Sequence, residues 1–391
     1  MRGSVRKRGS TWTYYLFVRD PLTGGRRQRS KGGFRTKREC QAALTEALAA
    51  IRTGAFVEPS RRTVGSFLAE EWLPAVQRTN LRPSTWANYR IHIEAHVLPE
   101  LGGVELQQLS PVQLNALYQR LLTVGGKDGA GLAEKTVRNV HAILHRALKD
   151  AGRWGYLPRN PAAAADPPTP KRLEPQVWEP AQLRAFLGHV RSDRLYAAWL
   201  LVATTGLRRG EILGLRWVDV DLEAGRIAVR QTLVVVDYNV QVSEPKTPRS
   251  RRALALDPAT VEALRAHRTQ QAAERELIAT GYHHSGLVFT TPDGSPIHPQ
   301  RFSSWFEQHT RAAGLPKIRL HDVRHSYATA ALAAGVPAKV ISERLGHATI
   351  AMTMDTYSHV LPALDTQAAA AVARLILGDQ KPDAEGPLTD G

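Results

Sequence analysis

Cysteine is almost missing from this 391-residue chain: Cys40 is the only one. That excludes an internal disulfide and a cysteine-based zinc site, and it fits a reducing, cytosolic (cytoplasmic) location. Cys40 itself reads as a small buried helix residue. No apolar run approaches the ~18 residues that a membrane span needs, and no secretory leader is expected. Acidic residues are scarce too, with 36 Asp and Glu against 52 Lys and Arg, a formal net charge of +16. With a membrane set aside, that excess points to nucleic acid as the partner. Metal-ligand spacings and glycine-rich phosphate loops are also lacking, so neither a metal nor another cofactor is expected.

What is present is enough apolar sequence for two or three domains: 43% of the residues are hydrophobic. The basic excess is concentrated at the start, where residues 1–62 carry 15 Lys and Arg against 4 Asp and Glu. Trp12, Tyr14, Leu16 and Val18 alternate with Thr13, Tyr15, Phe17 and Arg19, the period of a strand. A turn over 21–25 and a returning strand over 26–34 follow. Thr36 and Glu39 form a capping-box pattern ahead of a helix over 37–52. Arg26, Arg27, Arg29, Lys31 and Arg35 make this module a candidate for lying in a DNA groove.

Residues 63–157 read as a helical domain. Apolar stripes include Val64, Phe67, Leu68 and Trp72, then Leu114, Leu117 and Leu121, then Val137, Val140, Leu144 and Leu148. Ser84 is expected to cap the second helix, with Pro99 beyond its end, and Ser110-Pro111 opens the third. Arg138 and Lys149 lie off the apolar stripe and are candidates for DNA-backbone contacts. Residues 158–177 hold six prolines and predict an extended, moderately stiff linker. Residues 178–377 mix helices with short strands over 227–236, 240–242 and 252–256. A short apolar helix over 367–377 precedes a polar tail, 378–391, expected to be disordered. The fold class is therefore mainly α with small β-sheets (α+β), in several domains.

One stretch, LHDVRHSYATAALAAGVPAKVISERLGHATIAMTMDTYSHV, gathers His321, Arg324, His325, His347, Tyr357 and His359. A phosphodiester can be cut without a metal if a nucleophile attacks in line, cations hold the non-bridging oxygens, and an acid protonates the departing oxygen. Arginine suits the second task, because its planar fork grips two oxygens and keeps its charge. His321 and Arg324 stand one helical turn apart. Arg208 follows Gly206 at a turn-to-helix junction, although it could simply pair with Glu211 on its own helix. His347 could simply close a helix end. Lys246 sits in a turn-like segment, and Lys317 is a competitor for the role of acid.

In order, TTGLRRGEILGLRW, PKTPRSRR, LHDVRHSYAT and ERLGHATIAMTMDTYSHV closely resemble the tyrosine recombinase family, in particular phage-type and integrative-element integrases. The resemblance implies a tyrosine recombinase catalytic domain at 178–377, a core-binding domain at 63–157 and an arm-type DNA-binding module at 1–58. It implies that Arg208 and Arg324 clamp the phosphate, that Lys246 protonates the 5′-oxygen, and that His321 and His347 contact the phosphate. Tyr357 would form a 3′-phosphotyrosine bond, and Glu211 would orient the site from behind. His325 and His359 would be structural neighbours. Double-stranded DNA with core and arm-type sites is the implied partner. A homotetramer linked through the C-terminal helix is also implied, with a DNA-bending or directionality factor as a possible accessory. A type IB-like topoisomerase and an inactive DNA-binding protein are the alternatives.

Overall fold

A computed structural model describes the chain except residues 1–2, 20–24, 53–55, 80, 172–175, 245–250, 348, 352–353, 355–371, 374 and 377–391. It divides into two compact units, Met1–Arg172 and Leu173–Gly391. No described helix is long and apolar enough to cross a membrane.

The first unit opens with an antiparallel sheet of β1 (Ser4–Arg8), β2 (Thr11–Arg19) and β3 (Arg26–Phe34), in that order, followed by α1 (Lys37–Arg52). The sequence pattern does not show β1, because SVRKR is mostly charged and exposed. The capping box does form: Thr36 Oγ1 accepts from Glu39 N at 3.1 Å, and Glu39 Oε2 accepts from Thr36 N at 3.3 Å. Tyr14 and Leu16 from the sheet and Cys40 and Leu44 from α1 make the small core.

The helical domain begins with α2 (Val64–Ser66), a π turn over Phe67–Trp72, and α3 (Leu73–Gln77). It continues with α4 (Pro83–His92), a second π turn over Ile93–Val97, and α5 (Leu98–Leu101). Both π turns run into a Leu-Pro pair, and in both the leucine N–H reaches back five residues, Leu73 to Leu68 O and Leu98 to Ile93 O. Proline lacks the N–H and crowds the carbonyl four residues back, so the helix widens ahead of it. Pro99 therefore widens the helix rather than standing beyond it, a correction to the sequence reading. Pro83 and not Ser84 marks the start of α4, whose N-cap is Arg82. Then come α6 (Pro111–Val124), capped by Ser110, and α7 (Glu134–Arg153). Leu114, Val140, Leu144 and Leu148 are fully buried in the domain core.

The expected linker is not extended throughout. Pro161–Ala164 forms a 3-10 turn, and Ala162 is buried with the helical core. Asn160 and Asp166 hold the segment, since Asn160 Nδ2 donates to His145 O at 2.9 Å and Asp166 N donates to Asn115 Oδ1 at 2.8 Å. Side chains that bond backbone carbonyls and amides outweigh the local preference of a proline-rich run.

In the second unit, α8 (Pro180–His189) and α9 (Tyr196–Thr205) precede the single-turn α10 (Arg209–Leu213). Helix α9 is apolar on every side and lies at the centre of the core, with Ala198, Trp199 and Leu201 buried. Strands β4 (Val220–Asp221) and β5 (Arg226–Val229) pair antiparallel. The expected strand 227–236 breaks after Val229. Strand β6 (Thr232–Val236) instead pairs with β7 (Asn239–Ser243) as a separate hairpin. Gly210 and Gly214 make room for β6: a Cβ on Gly210 would meet Thr232 Oγ1 at 2.4 Å. Strand β8 (Arg252–Ala255) returns to pair with β5. Helices α11 (Pro258–Ile278), α12 (Pro299–Ala312), α13 (Leu320–Ala333) and α14 (Ala338–Leu345) follow. Trp178 anchors the start of the unit, donating Nε1–H to Pro316 O at 2.9 Å and packing at a tilt against the rings of Phe186 and Phe306.

Candidate active site

Arg324 lies on α13 and is only 3% exposed. A buried guanidinium must find acceptors, and it finds them on two other segments. Its Nη1 donates to Gly206 O at 2.8 Å and its Nη2 to Leu345 O at 2.7 Å. Gly206 closes α9 in the left-handed region at φ 63°, and a Cβ there would meet the Tyr327 ring at 2.6 Å. The turn that presents its carbonyl to Arg324 thus requires glycine.

Arg208 sits two residues on, at the start of α10. Its Nη1 donates to Glu211 Oε1 at 2.8 Å and its Nη2 to Gly346 O at 3.2 Å. Glu211 also accepts from Arg208 N at 3.0 Å, which caps the short helix. The pairing on one helix and the place in the pocket are both real, since the same bonds aim the guanidinium toward the turn after α14. Glu211 is 5% exposed. Burial by itself would raise its pKa, but the hydrogen bonds and charge of Arg252, then the charge of Arg208, overcome it and hold the carboxyl at about 2.

Gly346 ends α14 at φ 65°, and His347 follows with its N–H donated to Ser342 O at 3.0 Å. His347 is half-buried. Burial, then the cations Arg324 and Arg208, push its pKa down to about 4. His321 keeps an exposed edge. Desolvation of the rest of its ring, then His325 and Arg324, bring it to about 4 as well. His325 stands edge-on to it, with ring centroids 5.2 Å apart, and is lowered for the same first reason. Near neutral pH both candidate histidines are neutral imidazoles beside guanidinium cations. Each can donate a hydrogen bond to a phosphate oxygen or accept a proton.

Four predicted residues therefore converge: Arg208, Glu211, Arg324 and His347. His321 shares their electrostatic environment. Lys246 and Tyr357 lie outside the described residues, as does His359. Lys317 is exposed ahead of α13. Among the described residues no group of three or more His, Cys, Asp or Glu could hold a metal ion.

The sequence reading assigned no role to Arg252, although it is buried against Glu211. Its signal was present: Arg252 and Leu254 alternate onto the inward face of β8, a register where an arginine needs a buried partner.

The DNA-binding candidates divide by strand register. Leu16 pairs with Arg29, Val18 with Arg27 and Tyr14 with Lys31, so these three basic residues lie on the side that carries α1. Arg29 is ion-paired with Glu58. Arg26 belongs to the opposite, open face with Phe17, Tyr15 and Gln28, and Arg6 of β1 sits over the Tyr15 ring at 5.7 Å. On α7, Arg138 and Lys149 are exposed and eleven residues, about three turns, apart on one face.

A phage integrase family model matches residues 176–363, a phage integrase N-terminal SAM-like domain matches 66–122, and an arm DNA-binding domain matches 4–51. A tyrosine recombinase XerC-like protein of Caldanaerobacter subterraneus subsp. tengcongensis is 30% identical over 362 residues, covering 88% of this chain and 91% of its own. The ICEBs1 integrase of Bacillus subtilis is 27% identical over 285 residues, 72% of this chain and 75% of the relative. Two solved structures share the fold. The Tn1549 transposon integrase in complex with transposon right end DNA aligns at TM-score 0.65 and 21% identity, over 78% of this chain and 99% of that one. A lambda integrase from a tetramer bound to a Holliday junction aligns at TM-score 0.58 and 17% identity, over 90% and 94%. An arginine-lined pocket built from the ends of α9, α13 and α14, in a chain matched along its length by these proteins, makes this a member of the tyrosine recombinase (phage integrase) family and a tyrosine-type site-specific recombinase.

Proposed function

We propose that the chain is an integrase that cuts and rejoins duplex DNA through Tyr357, integrating and excising a mobile element without a cofactor. The Tyr357 oxygen attacks phosphorus as its proton passes to the neutral His321, an O–P bond forms, the bond to the 5′-oxygen breaks, and Lys246 protonates that oxygen. Rejoining runs the same steps backward, so the energy of the phosphodiester is kept in the phosphotyrosine bond. Arg208 and Arg324 hold the non-bridging oxygens, and His321 and His347 hydrogen-bond them. The observation that carries this reading is the convergence of Arg324 with Gly206, 118 residues away in sequence, on the turn leading to His347.

A phenol titrates near ~10, and the surrounding guanidinium charge favours its ionised form during attack. The open face of the N-terminal sheet, with Arg6, Tyr15, Phe17, Arg26 and Gln28, fits a major groove at an arm-type site. Arg27 and Lys31 are suited to flanking phosphates. Arg138 and Lys149 on α7 serve the core site in the same way. The chain acts as a homotetramer on DNA in the cytoplasm, the assembly seen for the lambda integrase bound to a Holliday junction.

A nicked suicide duplex carrying the core site tests the chemistry. Wild type forms a covalent protein–DNA adduct and Tyr357→Phe forms none. No wild-type adduct removes both enzyme readings, and an adduct with Tyr357→Phe removes the assigned nucleophile. Recombination between two plasmids then separates an integrase from a topoisomerase-like enzyme, and the match to an arm DNA-binding domain favours the integrase.

A further inference from the structure

We propose that Arg252 is a positioning residue that holds Glu211 and the turn at Arg344–Gly346 so that Arg208 presents its guanidinium to the scissile phosphate. This rests on the reading of Arg208 as a phosphate clamp.

Three observations carry it. First, Arg252 grips Glu211 with both arms of its fork, Nη1 to Oε1 at 3.2 Å and Nη2 to Oε2 at 2.9 Å. Both side chains are nearly closed to solvent, at 7% and 5% exposure. Arg208 shares that carboxylate through one arm only, Nη1 at 2.8 Å. With Arg252 in place, Glu211 is satisfied without drawing in the second arm of Arg208. Without it, a buried carboxylate faces Arg208 alone, and the favoured arrangement is a closed two-armed pair turned away from substrate.

Second, Arg252 Nε donates to Arg344 O at 2.6 Å, on the last turn of α14. Its guanidinium then crosses Gly346, where a Cβ would lie 2.9 Å from Nη1. Gly346 O accepts from the other arm of Arg208 at 3.2 Å. Arg252 thus bonds the carboxylate that aims Arg208 and the turn that carries its second acceptor. Third, Arg252 opens β8 just after the segment that holds Lys246. Its neighbour Arg251 pairs with Glu244 at 3.0 Å. One side chain therefore joins the start of β8 to the arginine pocket. The charged groups facing Glu211 are Arg208 from the start of α10 and Arg252 from β8, and His347 lies within the field of both.

Single-turnover cleavage of the suicide duplex by the full chain tests the assignment, with Arg252→Lys, Arg252→Gln and the double variant Arg252→Gln/Glu211→Gln. We expect Arg252→Gln to cleave roughly 10- to 100-fold more slowly, with duplex affinity within about threefold of wild type. Arg252→Lys, which keeps the charge and loses the fork, falls between. Arg252→Gln also gains an inflection at weakly acid pH, where protonation of Glu211 releases Arg208 and the rate rises as pH falls. The double variant loses that inflection and recovers part of the rate. Wild-type rates in both single variants overturn the proposal. So does a slowed Arg252→Gln whose pH profile matches wild type and which the second substitution does not relieve. Should Arg252→Gln fail to fold, Arg252→Lys decides: slowed cleavage with intact folding supports the role, and a wild-type rate overturns it. Absence of an adduct with wild type is a failure of the functional reading instead, and is separately visible.

Discussion

The helical domain and the arginine pocket solve the problem of holding distant segments together in opposite ways. In the helical domain, α7 buries a continuous stripe of Val137, Val140, Leu144, Ala147 and Leu148 against apolar neighbours. That attraction has no direction, so each helix needs only the right period. In the pocket, Arg208, Arg252 and Arg324 bridge the end of α9, the start of α10, β8 and the end of α14 by hydrogen bonds to four backbone carbonyls and one carboxylate. Those bonds depend on angle and reach. An apolar core tolerates slight displacement, whereas a buried guanidinium that loses an acceptor leaves polar groups stranded.

Arg324→Lys tests the directional half hardest. A lysine keeps the charge but cannot reach Gly206 O and Leu345 O with a planar fork. Cleavage of the suicide duplex is expected to fall by at least ~10²-fold; a near-normal rate would reduce the pocket to a matter of charge alone. Leu144→Ala tests the apolar half. Leu144 is fully buried, so denaturant unfolding should show a loss of about 2–5 kcal/mol. The cleavage rate of the folded fraction should stay near wild type, and a selective loss of chemistry would show that the two regions are not independent.

A third test uses acid. Unfolded histidine titrates near ~6.5, while His321 and His347 are held at about 4. The unfolded chain therefore binds protons that the folded pocket refuses. Stability is full above about pH 6.5 and is lost as pH falls toward 4. Burial lowers His92, His96 and His141 of the helical domain in the same direction. Glu211, held at about 2, adds a contribution belonging to the pocket alone, present above its unfolded value near ~4.3 and lost below it. Urea midpoints at pH 8, 6 and 4.5 should decrease in that order, and His347→Asn should flatten the decrease. The smallest expected effect on stability is Phe17→Ala, on the open face of the sheet, at about 0.5 kcal/mol or less. Arm-site affinity should still weaken with an unchanged salt slope, whereas Arg6→Ala should reduce that slope by about one. Equal slopes for both variants would remove the open face as the groove surface.

Much of the architecture was readable because it is periodic. The stripes of α6 and α7, the cap at Ser110, the Thr36–Glu39 box and the β2–β3 pairing all follow from local rules. The failures also have local causes. Charge hid β1, because its residues carry almost no apolar signal. Pro74 and Pro99 act from inside their helices, since tertiary packing overrides the tendency of proline to end them. The strand expected over 227–236 is interrupted because β6 leaves the sheet to pack on Gly210 and Gly214. In the N-terminal module, the run of basic residues was visible but its division between two faces was not, since that depends on which residues of β2 and β3 stand opposite each other.

The candidate site shows the same boundary. Residue types and spacing pointed to Arg208, His321, Arg324 and His347 as candidates, and the resemblance to the tyrosine recombinase motifs supplied their roles and added Glu211. Chemistry on a phosphate restricts the side chains that can serve, and the motifs carry them. The acceptors of those arginines could not be read, because they are backbone carbonyls at Gly206, Leu345 and Gly346 that any residue possesses. Arg252 went unassigned for a related reason: its meaning comes from a carboxylate 41 residues earlier and a carbonyl 92 residues later. The sequence by itself determined the helical periods, the basic charge and the chemical inventory of the pocket, all properties of residues and their near neighbours. Only the tertiary structure decided which carbonyls the arginines hold and which face of the sheet is open, because hydrogen bonds are set by distance and angle between segments that the chain order keeps apart.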